Sequence, residues 1–320
     1  MKKVISLITA LCLLFLFVGC FDGGTKPDDD PPVYLNMNTD YPDTENLQDG
    51  GGKKAKVILL LGQSNASGCS INSYLLKNIG AEKYSVYENG FPSVLINYCI
   101  DDHNSTSNGN FVKVDLTCGA TGGFFGPEVG IAEKLSTEFP DETVFILKYT
   151  MSGYSLHSHW LRHGEKGSIY DAFLIFVNKY METLISKNYD AAIGAVCWMQ
   201  GESDTSEFKA SKYYDNQVAF VNYLRADLAK YADGGKLYFI DAGISNSPYC
   251  EPAYPEINDA KLRFSALSPL NIYFPTISEG LTVHLEPEGE PDWGHYDSLS
   301  GLKLGHLFGD RIIDIYKSTD

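Results

Sequence analysis

Short runs of apolar residues alternate with longer amphipathic stretches over most of this 320-residue chain. Continuous apolar runs of this length are typical of strands buried on both faces of a parallel sheet. The runs lie at 56–62, 93–99, 111–117, 143–150, 191–200, 236–243 and, more weakly, 271–277. This repeated pattern favours an α/β fold.

The stretches between the runs carry helical periodicity. Residues 169–185 repeat apolar side chains every three or four positions, which gives one wide apolar face. A second predicted helix spans 211–231 and stops before Gly234, as helices often do at glycine, and a third begins near Ser298. Strand and helix in alternation predict a three-layer α/β/α sandwich with a central parallel sheet, formed by a single domain over residues 55–320.

The N-terminus predicts export. Lys2 and Lys3 precede an apolar stretch over residues 4–18, and Gly19 and Cys20 follow it. This pattern is a secretory signal, and its end resembles the lipobox of bacterial lipoproteins, in which the cysteine is lipidated. We therefore expect residues 1–20 to be a signal peptide, lipidation at Cys20, and a cell-surface or periplasmic bacterial lipoprotein. Ordinary signal cleavage and a simple membrane anchor remain alternatives.

Residues 21–54 are rich in Gly, Pro, Asp and Asn and have no apolar period, which predicts a flexible tether. The whole chain has 25 Lys and Arg against 41 Asp and Glu, a formal net charge of −16. Because no cationic run appears in the body of the chain, nucleic acid is not an expected partner.

In a parallel sheet, ligands bind beyond the carboxyl ends of the strands. The first strand is followed by GQSNASG at 62–68, where Ser64 can serve as a nucleophile or merely lie in a strand-to-helix turn with a helix cap. Near the C-terminus, Asp292 and His295 are three residues apart, so the carboxylate can orient the imidazole as a general base; Asp297 is the reserve acid.

A third segment, WMQGESD at 198–204, follows another strand. The Gln200 amide can donate to a developing oxyanion. Glu202 and Asp204 are interpreted as acceptors that organise the loop through backbone donors, in preference to the acid/base pair of a glycosidase.

Together, GQSN at 62–65, FGPEVG at 125–130, WMQGESD at 198–204 and DWGH at 292–295 resemble the SGNH (GDSL-like) hydrolase superfamily, with its flavodoxin-like architecture. They are most similar to its branch of sialate O-acetylesterases and acetylxylan esterases, which includes carbohydrate esterase family six. The resemblance implies Ser64 as nucleophile, His295 as base and Asp292 as orienting acid. It implies an oxyanion hole formed by the Ser64 N–H, the Gly126 N–H and the Gln200 side chain.

The predicted substrate-binding residues are Gln63, Asn65, Ser152, Gly153, Trp160 and Glu202. The resemblance implies an exported esterase that removes acetyl groups from an oligo- or polysaccharide through an acyl-enzyme, without a cofactor or metal. Xylan, sialic acid, pectin and peptidoglycan acetyls all suit the same triad. The alternatives are a surface lipoprotein that binds glycans without hydrolysis and an esterase for non-carbohydrate esters.

Two other sets of residues have side chains suited to metal or disulfide chemistry. His157, His159 and His163 lack a cysteine or close carboxylate to complete a metal site, so no metal is expected there. Besides Cys12 and Cys20, the chain has Cys69, Cys99, Cys118, Cys197 and Cys250. An odd number leaves at least one free thiol, Cys197 in a strand being the expected buried one and Cys99 with Cys118 the candidate bridge.

Overall fold

The structure is a computed structural model that describes residues 35–162 and 168–319. The predicted signal peptide, Cys20 and His163 lie outside the described residues. The strands are β1 Lys54–Gly62, β2 Ser70–Ile71, β3 Phe91–Ile100, β4 Ser105–Thr106, β5 Val112–Val114, β6 Phe124–Phe125, β7 Thr143–Thr150, β8 Asp190–Met199, β9 Tyr238–Ala242 and β10 Asn271–Phe274. The helices are α1 Ser64–Ser67, α2 Asn72–Asn89, α3 Pro127–Glu138, α4 Ile169–Ser186, α5 Glu207–Asp227, α6 Tyr254–Ser265 and α7 Ser298–Thr319.

In the described part of the chain, the main sheet has eight strands in the order β10-β9-β8-β1-β7-β3-β4, with β5 also on β3. Every pair from β10 to β3 is parallel, whereas β4 and β5 run antiparallel to β3. The predicted parallel sheet is therefore confirmed. The expected buried strand at 111–117 is wrong: only 112–114 form a strand, and Lys113 in its middle is exposed.

Helices cover both faces of the sheet. On β7, Lys148 Nζ reaches Glu128 Oε2 of α3 at 2.8 Å, whereas the ring of the next residue, Tyr149, contacts Phe176 of α4 at 5.6 Å between centroids. Successive side chains of a strand point to opposite faces, so α3 and α4 lie on opposite sides. The three-layer sandwich that the sequence predicts is confirmed.

Three central strands end at the same level of the sheet. Gly62, the last residue of β1, is in register with Thr150 of β7 on one side and with Met199 of β8 on the other. The segments that follow these strands therefore meet at the carboxyl edge of the sheet, near its middle. The chain adds strands on one side of β1 first and on the other side later, so this position is the topological switch point of the sheet. The nucleophile turn and the loop that begins at Gln200 are two of these segments.

Residues 35–53 form neither helix nor strand, yet they pack on the domain. The side chains buried in the core are Met37, Tyr41 and Leu47. The Tyr41 hydroxyl donates to the Ala172 carbonyl at 3.1 Å, and Asn46 exchanges two hydrogen bonds with the Phe111 backbone at 2.7 and 3.1 Å. The predicted tether is thus wrong for this part of 21–54, because isolated apolar residues in a polar segment find places in the core.

The five cysteines of the described residues, Cys69, Cys99, Cys118, Cys197 and Cys250, are all free thiols. The candidate bridge between Cys99 and Cys118 is not formed, and the Cys118 thiol lies 3.9 Å from the Lys113 carbonyl oxygen instead. Cys197 is fully buried in β8, as the sequence predicts.

Candidate active site

The turn after β1 places Ser64 at the edge of the sheet. Gly62 has φ 140°, and a Cβ there would lie 2.0 Å from the Met199 carbonyl oxygen, so only glycine fits. The Gln63 N–H donates to that same oxygen at 3.0 Å. Ser64 then begins α1 and is partly exposed. The close approach of the ends of β1 and β8 thus requires a sharp turn, and Ser64 lies just beyond the carboxyl end of β1.

Asn65, the residue after the serine, connects three segments of the chain. Its Oδ1 accepts from the Tyr296 N–H at 3.0 Å, and its Nδ2 donates to the Gly294 carbonyl at 3.3 Å and to Glu202 Oε1 at 2.7 Å. Asn65 is 5 % exposed. Although Asn65 and Glu202 were predicted to bind substrate, they bind each other here. Asn65 holds the backbone on both sides of His295 and so keeps His295 near Ser64.

Asp292 and His295 form a close pair. Asp292 Oδ2 lies 2.6 Å from His295 Nδ1, and Oδ1 of the same carboxylate accepts from the Gly294 N–H at 3.0 Å. Such a bond to Nδ1 leaves Nε2 as the nitrogen that can accept a proton. The reserve acid Asp297 is buried and accepts from backbone N–H groups of Leu285 and Glu286 at 3.0 and 2.8 Å. Asp292 is thus the carboxylate that contacts the histidine.

Two groups act on the pKa of His295. Burial alone would lower it, but the Cys69 sulfur and the Asp292 carboxylate raise the pKa well above its ordinary value. Ser70 Oγ donates to the Tyr296 carbonyl at 2.9 Å, which draws Cys69 to the ring.

The described residues contain no hydrogen bond between Ser64 Oγ and His295. In unliganded enzymes such catalytic hydrogen bonds are often long and tighten when substrate binds. In this structure the imidazole contacts the Cys69 side chain in addition to Asp292.

The predicted oxyanion donor Gly126 is committed elsewhere. Its N–H donates to Glu128 Oε1 at 2.8 Å, and Lys148 Nζ donates to Oε2 of the same carboxylate at 2.8 Å and to the Ser67 carbonyl at 2.9 Å. The side chains of Lys148 and Glu128 are both fully buried. This ion pair fixes the end of α1 and takes up the Gly126 N–H, so the predicted donor is not available in this structure.

Gln200 is likewise engaged and fully buried. Its amide donates to Asp204 Oδ2 at 2.6 Å and to the Tyr154 carbonyl at 3.3 Å, which uses both hydrogens. Asp204 also accepts from the N–H groups of Leu156 and His157 at 2.7 and 3.0 Å, the organising function expected of it. Gln200 does not point its amide into the cleft, contrary to prediction. The Ser64 N–H, at the first residue of α1, is the predicted donor that has no acceptor within its helix.

Two other predicted substrate contacts are internal. Gln63 is 4 % exposed, and its Oε1 accepts from the Gly201 and Ser203 N–H groups at 3.4 and 3.2 Å. Trp160 is fully buried and packs edge-on against Trp198, with 5.2 Å between ring centroids. The prediction that Trp160 lines the sugar site is wrong, because the short turn at Leu156–Trp160 directs it into the core.

The predicted contacts at Ser152 and Gly153 remain at the surface of the cleft. Ser152 is partly exposed; its N–H donates to Asp101 Oδ1 at 2.6 Å and its hydroxyl to Ser67 Oγ at 3.2 Å. Gly153 is exposed, with φ 79°. These two residues follow β7 and border α1, so an incoming substrate can reach them.

Sequence reasoning passed over two aromatic residues beside the histidine. Trp293 is 39 % exposed and Tyr249 is 69 % exposed. The available signal for Trp293 was its place inside the DWGH motif. For metal ions, residues 35–162 and 168–319 contain no group of three His, Cys, Asp or Glu side chains that could hold one.

A family model described as "Carbohydrate esterase, sialic acid-specific acetylesterase" matches residues 54–314. Similar solved structures include a protein from Arabidopsis thaliana, at 19 % identity and TM-score 0.56 over 81 % of this chain and 98 % of that one. They also include NanS, at 15 % identity and TM-score 0.56 over 84 % and 99 % of the two chains. A carbohydrate acetylesterase from Xanthomonas citri matches at 15 % identity and TM-score 0.50 over 79 % and 54 %. The structural similarity to these three proteins shows a shared fold. A search of curated proteins gave no significant match.

Proposed function

The chain belongs to the sialic acid-specific acetylesterase family of carbohydrate esterases, and from this premise we propose that it is an exported serine esterase that deacetylates saccharides through an acyl-enzyme. Membership confirms the resemblance that the four motifs carry. The observation that carries the mechanism is Asn65, which bonds to both neighbours of His295 and lies next to Ser64. It supports a site in which nucleophile and base act on one ester.

The first half of the proposed reaction transfers acetyl to the serine. Ser64 Oγ attacks the acetyl carbonyl carbon while His295 Nε2 takes the hydroxyl proton, and Asp292 stabilises the resulting imidazolium. The Ser64 N–H faces the oxyanion of the tetrahedral intermediate. Collapse breaks the bond to the sugar oxygen, which receives the proton from His295, and the acetyl group remains on Ser64.

The second half returns the enzyme. A water molecule attacks the acetyl-serine carbon as His295 takes its proton, and the Ser64 oxygen then leaves and recovers that proton. Acetate is the product.

The test is acetate release by the purified protein from p-nitrophenyl acetate, acetylated xylan and O-acetylated sialic acid. We expect Ser64→Ala to lose release while its circular dichroism spectrum is unchanged. Ser211→Ala, which removes an exposed hydroxyl on α5, is the matched control and should keep wild-type rates. Binding of acetylated glycans without release by well-folded wild-type protein would support the non-catalytic alternative instead. Release from simple esters alone would favour a non-carbohydrate substrate.

Export and lipidation form a separate part of the proposal. Support comes from Lys2, Lys3, the apolar residues 4–18 and Cys20. Among the described residues, no helix has the length and apolarity to cross a bilayer. We expect the full-length protein expressed in a bacterium to partition with membranes and to carry a lipid on Cys20 by mass spectrometry. Cys20→Ser should abolish the modification; an unmodified wild-type Cys20 would contradict the proposal.

A further inference from the structure

The backbone directly after β3 adopts an unusual conformation. Asp101, Asp102 and His103 have φ 50°, 52° and 71°, and we call these three residues the left-handed turn. In the rest of the described chain, positive φ outside glycine occurs singly, at Asn108 and Asn188. Each left-handed residue with a Cβ costs free energy, and such conformations persist where surrounding contacts hold them, often at functional sites.

The left-handed turn directs one carboxylate to the cleft. The Asp101 N–H donates to the Thr150 carbonyl at 3.0 Å, and Asp101 Oδ1 accepts from the Ser152 N–H at 2.6 Å. The Ser152 hydroxyl in turn donates to Ser67 Oγ at 3.2 Å. Ser67 is the last residue of α1, the helix that begins at Ser64. Asp101 therefore holds the loop after β7 against the helix that carries the nucleophile.

The loop that Asp101 holds faces open space. Gly153 is exposed, and a Cβ on it would have none of the described atoms within 4 Å apart from its chain neighbours. At the start of the loop, the Met151 N–H donates to the Gly62 carbonyl at 2.9 Å, at the end of β1. The loop thus lies between the strand that leads to Ser64 and the space through which an ester can approach.

The N-terminal segment holds the left-handed turn from the other side. The Asn38 N–H donates to Asp102 Oδ1 at 2.9 Å, and the Asn38 carbonyl oxygen lies 3.2 Å from His103 Nε2. The Tyr41 ring stacks on the His103 ring, with 5.0 Å between centroids and 13° between ring planes. Tyr41 is buried and also packs edge-on against Phe176 of α4 at 5.4 Å. The two residues of the turn that follow Asp101 are therefore both fixed by this segment.

We propose that Asp101 is a positioning residue of the esterase, and that residues 38–41 hold it in place through the left-handed turn. A wall of the cleft that moves by about 1 Å relative to the reacting groups lowers the rate of the reaction. The inference deepens the proposed function and rests on it. Asp101 acts through the Ser152–Gly153 loop and takes no part in bond making, and the N-terminal segment is a part of the enzyme and not a spacer.

The first test removes the Asp101 acceptor and keeps the turn. Glycine and asparagine both tolerate positive φ, but only asparagine retains an oxygen that can accept from the Ser152 N–H. Asp101→Gly should lower kcat on p-nitrophenyl acetate by about tenfold, because the loop is released. Asp101→Asn should stay within about threefold of wild type, because a neutral acceptor replaces a charged one.

The matched control for this test lies in the N-terminal segment. Asp49 Oδ1 accepts from the Gly51 N–H at 2.7 Å, and Asp49→Ala should keep the wild-type kcat. Urea denaturation of each variant checks that it is folded under the assay conditions. A wild-type kcat in Asp101→Gly would overturn the inference. An equal loss in Asp101→Gly and Asp101→Asn would also overturn it, since the charge and not the hydrogen bond would then matter.

The second test asks whether the N-terminal segment acts through Asp101. Tyr41→Leu removes the ring that stacks on His103 but keeps an apolar side chain in the core, and it should lower kcat by about fivefold. Tyr41→Phe removes only the hydroxyl and should lose less. Because both changes release the same turn, Tyr41→Leu should have no further effect on kcat in Asp101→Gly protein. Losses that multiply in the double variant would overturn the proposed link.

A spectroscopic readout separates the inference from the proposed function. An N–H that donates to a carboxylate over a short distance forms a strong hydrogen bond, so the Ser152 amide proton should resonate downfield in the wild-type protein. It should move upfield in Asp101→Gly and, by a smaller shift, in Tyr41→Leu. An unmoved resonance in Asp101→Gly would overturn the inference alone. Absence of acetate release by folded wild-type protein would instead overturn the proposed function.

Discussion

Glu202 Oε1 accepts a hydrogen bond from Asn65 Nδ2 at 2.7 Å, and this one contact links the loop after β8 to the backbone that carries His295. The second carboxylate oxygen, Glu202 Oε2, is buried without a hydrogen-bond partner among the described residues. Burial raises the pKa of this carboxyl. The Glu202 carboxylate therefore orients the Asn65 amide, and this amide in turn holds the backbone on both sides of His295.

The Asn65 contact predicts a large effect on rate. Asn65→Ala should lower kcat by roughly 100-fold, because His295 is then free to move by an ångström relative to Ser64. Steady-state kinetics on p-nitrophenyl acetate measures it. Asn178→Ala, which removes a similar amide-to-carbonyl bond inside α4, should leave kcat unchanged. A wild-type kcat for Asn65→Ala would show that the loop is held by other contacts.

Substitutions at Glu202 should distinguish an acceptor from a charge. Glu202→Gln retains an oxygen that can accept from Asn65, so we expect kcat within about threefold of wild type, whereas Glu202→Ala should lose about tenfold or more. If Glu202→Gln is as impaired as Glu202→Ala, the negative charge itself contributes to the reaction.

The pH dependence of the reaction follows from His295. The imidazole accepts a proton only when neutral, and its pKa lies well above the ordinary value, so kcat/KM should rise with pH through that raised pKa. Removing Cys69 or Asp292 removes a group that raises the pKa. Cys69→Ala and Asp292→Asn should therefore move the acidic limb of the profile to lower pH, and Asp292→Asn should also reduce kcat by about 10⁴-fold. An unshifted limb in Cys69→Ala would show that the thiol does not act on the base.

Thiol reagents should modify Cys69 before the other cysteines of the described residues. Burial raises the pKa of Cys99 and Cys118 to about 12 and of Cys250 to about 11, and Cys197 is fully buried, whereas Cys69 is partly exposed. Since the thiolate is the reactive form, iodoacetamide should modify Cys69 before the others and inactivate the enzyme by covering His295. Mass spectrometry locates the adduct. Cys69→Ala should resist inactivation, and rapid loss of its activity would point to another target.

The buried ion pair under the site predicts a stability effect. Lys148→Met should lower the free energy of unfolding by about 3–5 kcal/mol, because Glu128 is left charged and buried. Urea denaturation measures this. Lys134→Met, which breaks the half-exposed pair with Asp310, is the control and should cost about 1 kcal/mol or less. The double variant Lys148→Met, Glu128→Leu should lose less than Lys148→Met alone; an equal loss would mean that packing, not charge, accounts for the change.

The sequence predicts well those features that depend on local patterns. The run at 143–150 coincides with β7, and the spacing of Asp292 and His295 suffices for their contact. The sequence did not predict the hydrogen-bond acceptors of the Gly126 N–H and the Gln200 amide. A short motif does not show whether the side chain of Glu128 or Asp204 points inward or toward the cleft.

Contacts between distant parts of the chain were equally hidden. Asn65 contacts Tyr296, which lies near the other end of the domain in sequence, and no periodic pattern in the sequence relates the two residues. Trp160 and Trp293 both follow strands in loops, yet one is fully buried and the other 39 % exposed. Whether a loop side chain is buried depends on the direction in which the backbone turns after the strand, and contacts in the folded protein determine that direction.

The packing of residues 35–53 on the domain decides where a shortened version of the enzyme can begin. Tyr41 and Asn46 are hydrogen-bonded to Ala172 and Phe111, and Met37, Tyr41 and Leu47 are buried in the core. A truncation that starts at residue 54 would remove these contacts and uncover the apolar surface beneath them, whereas one that starts at or before residue 35 keeps them.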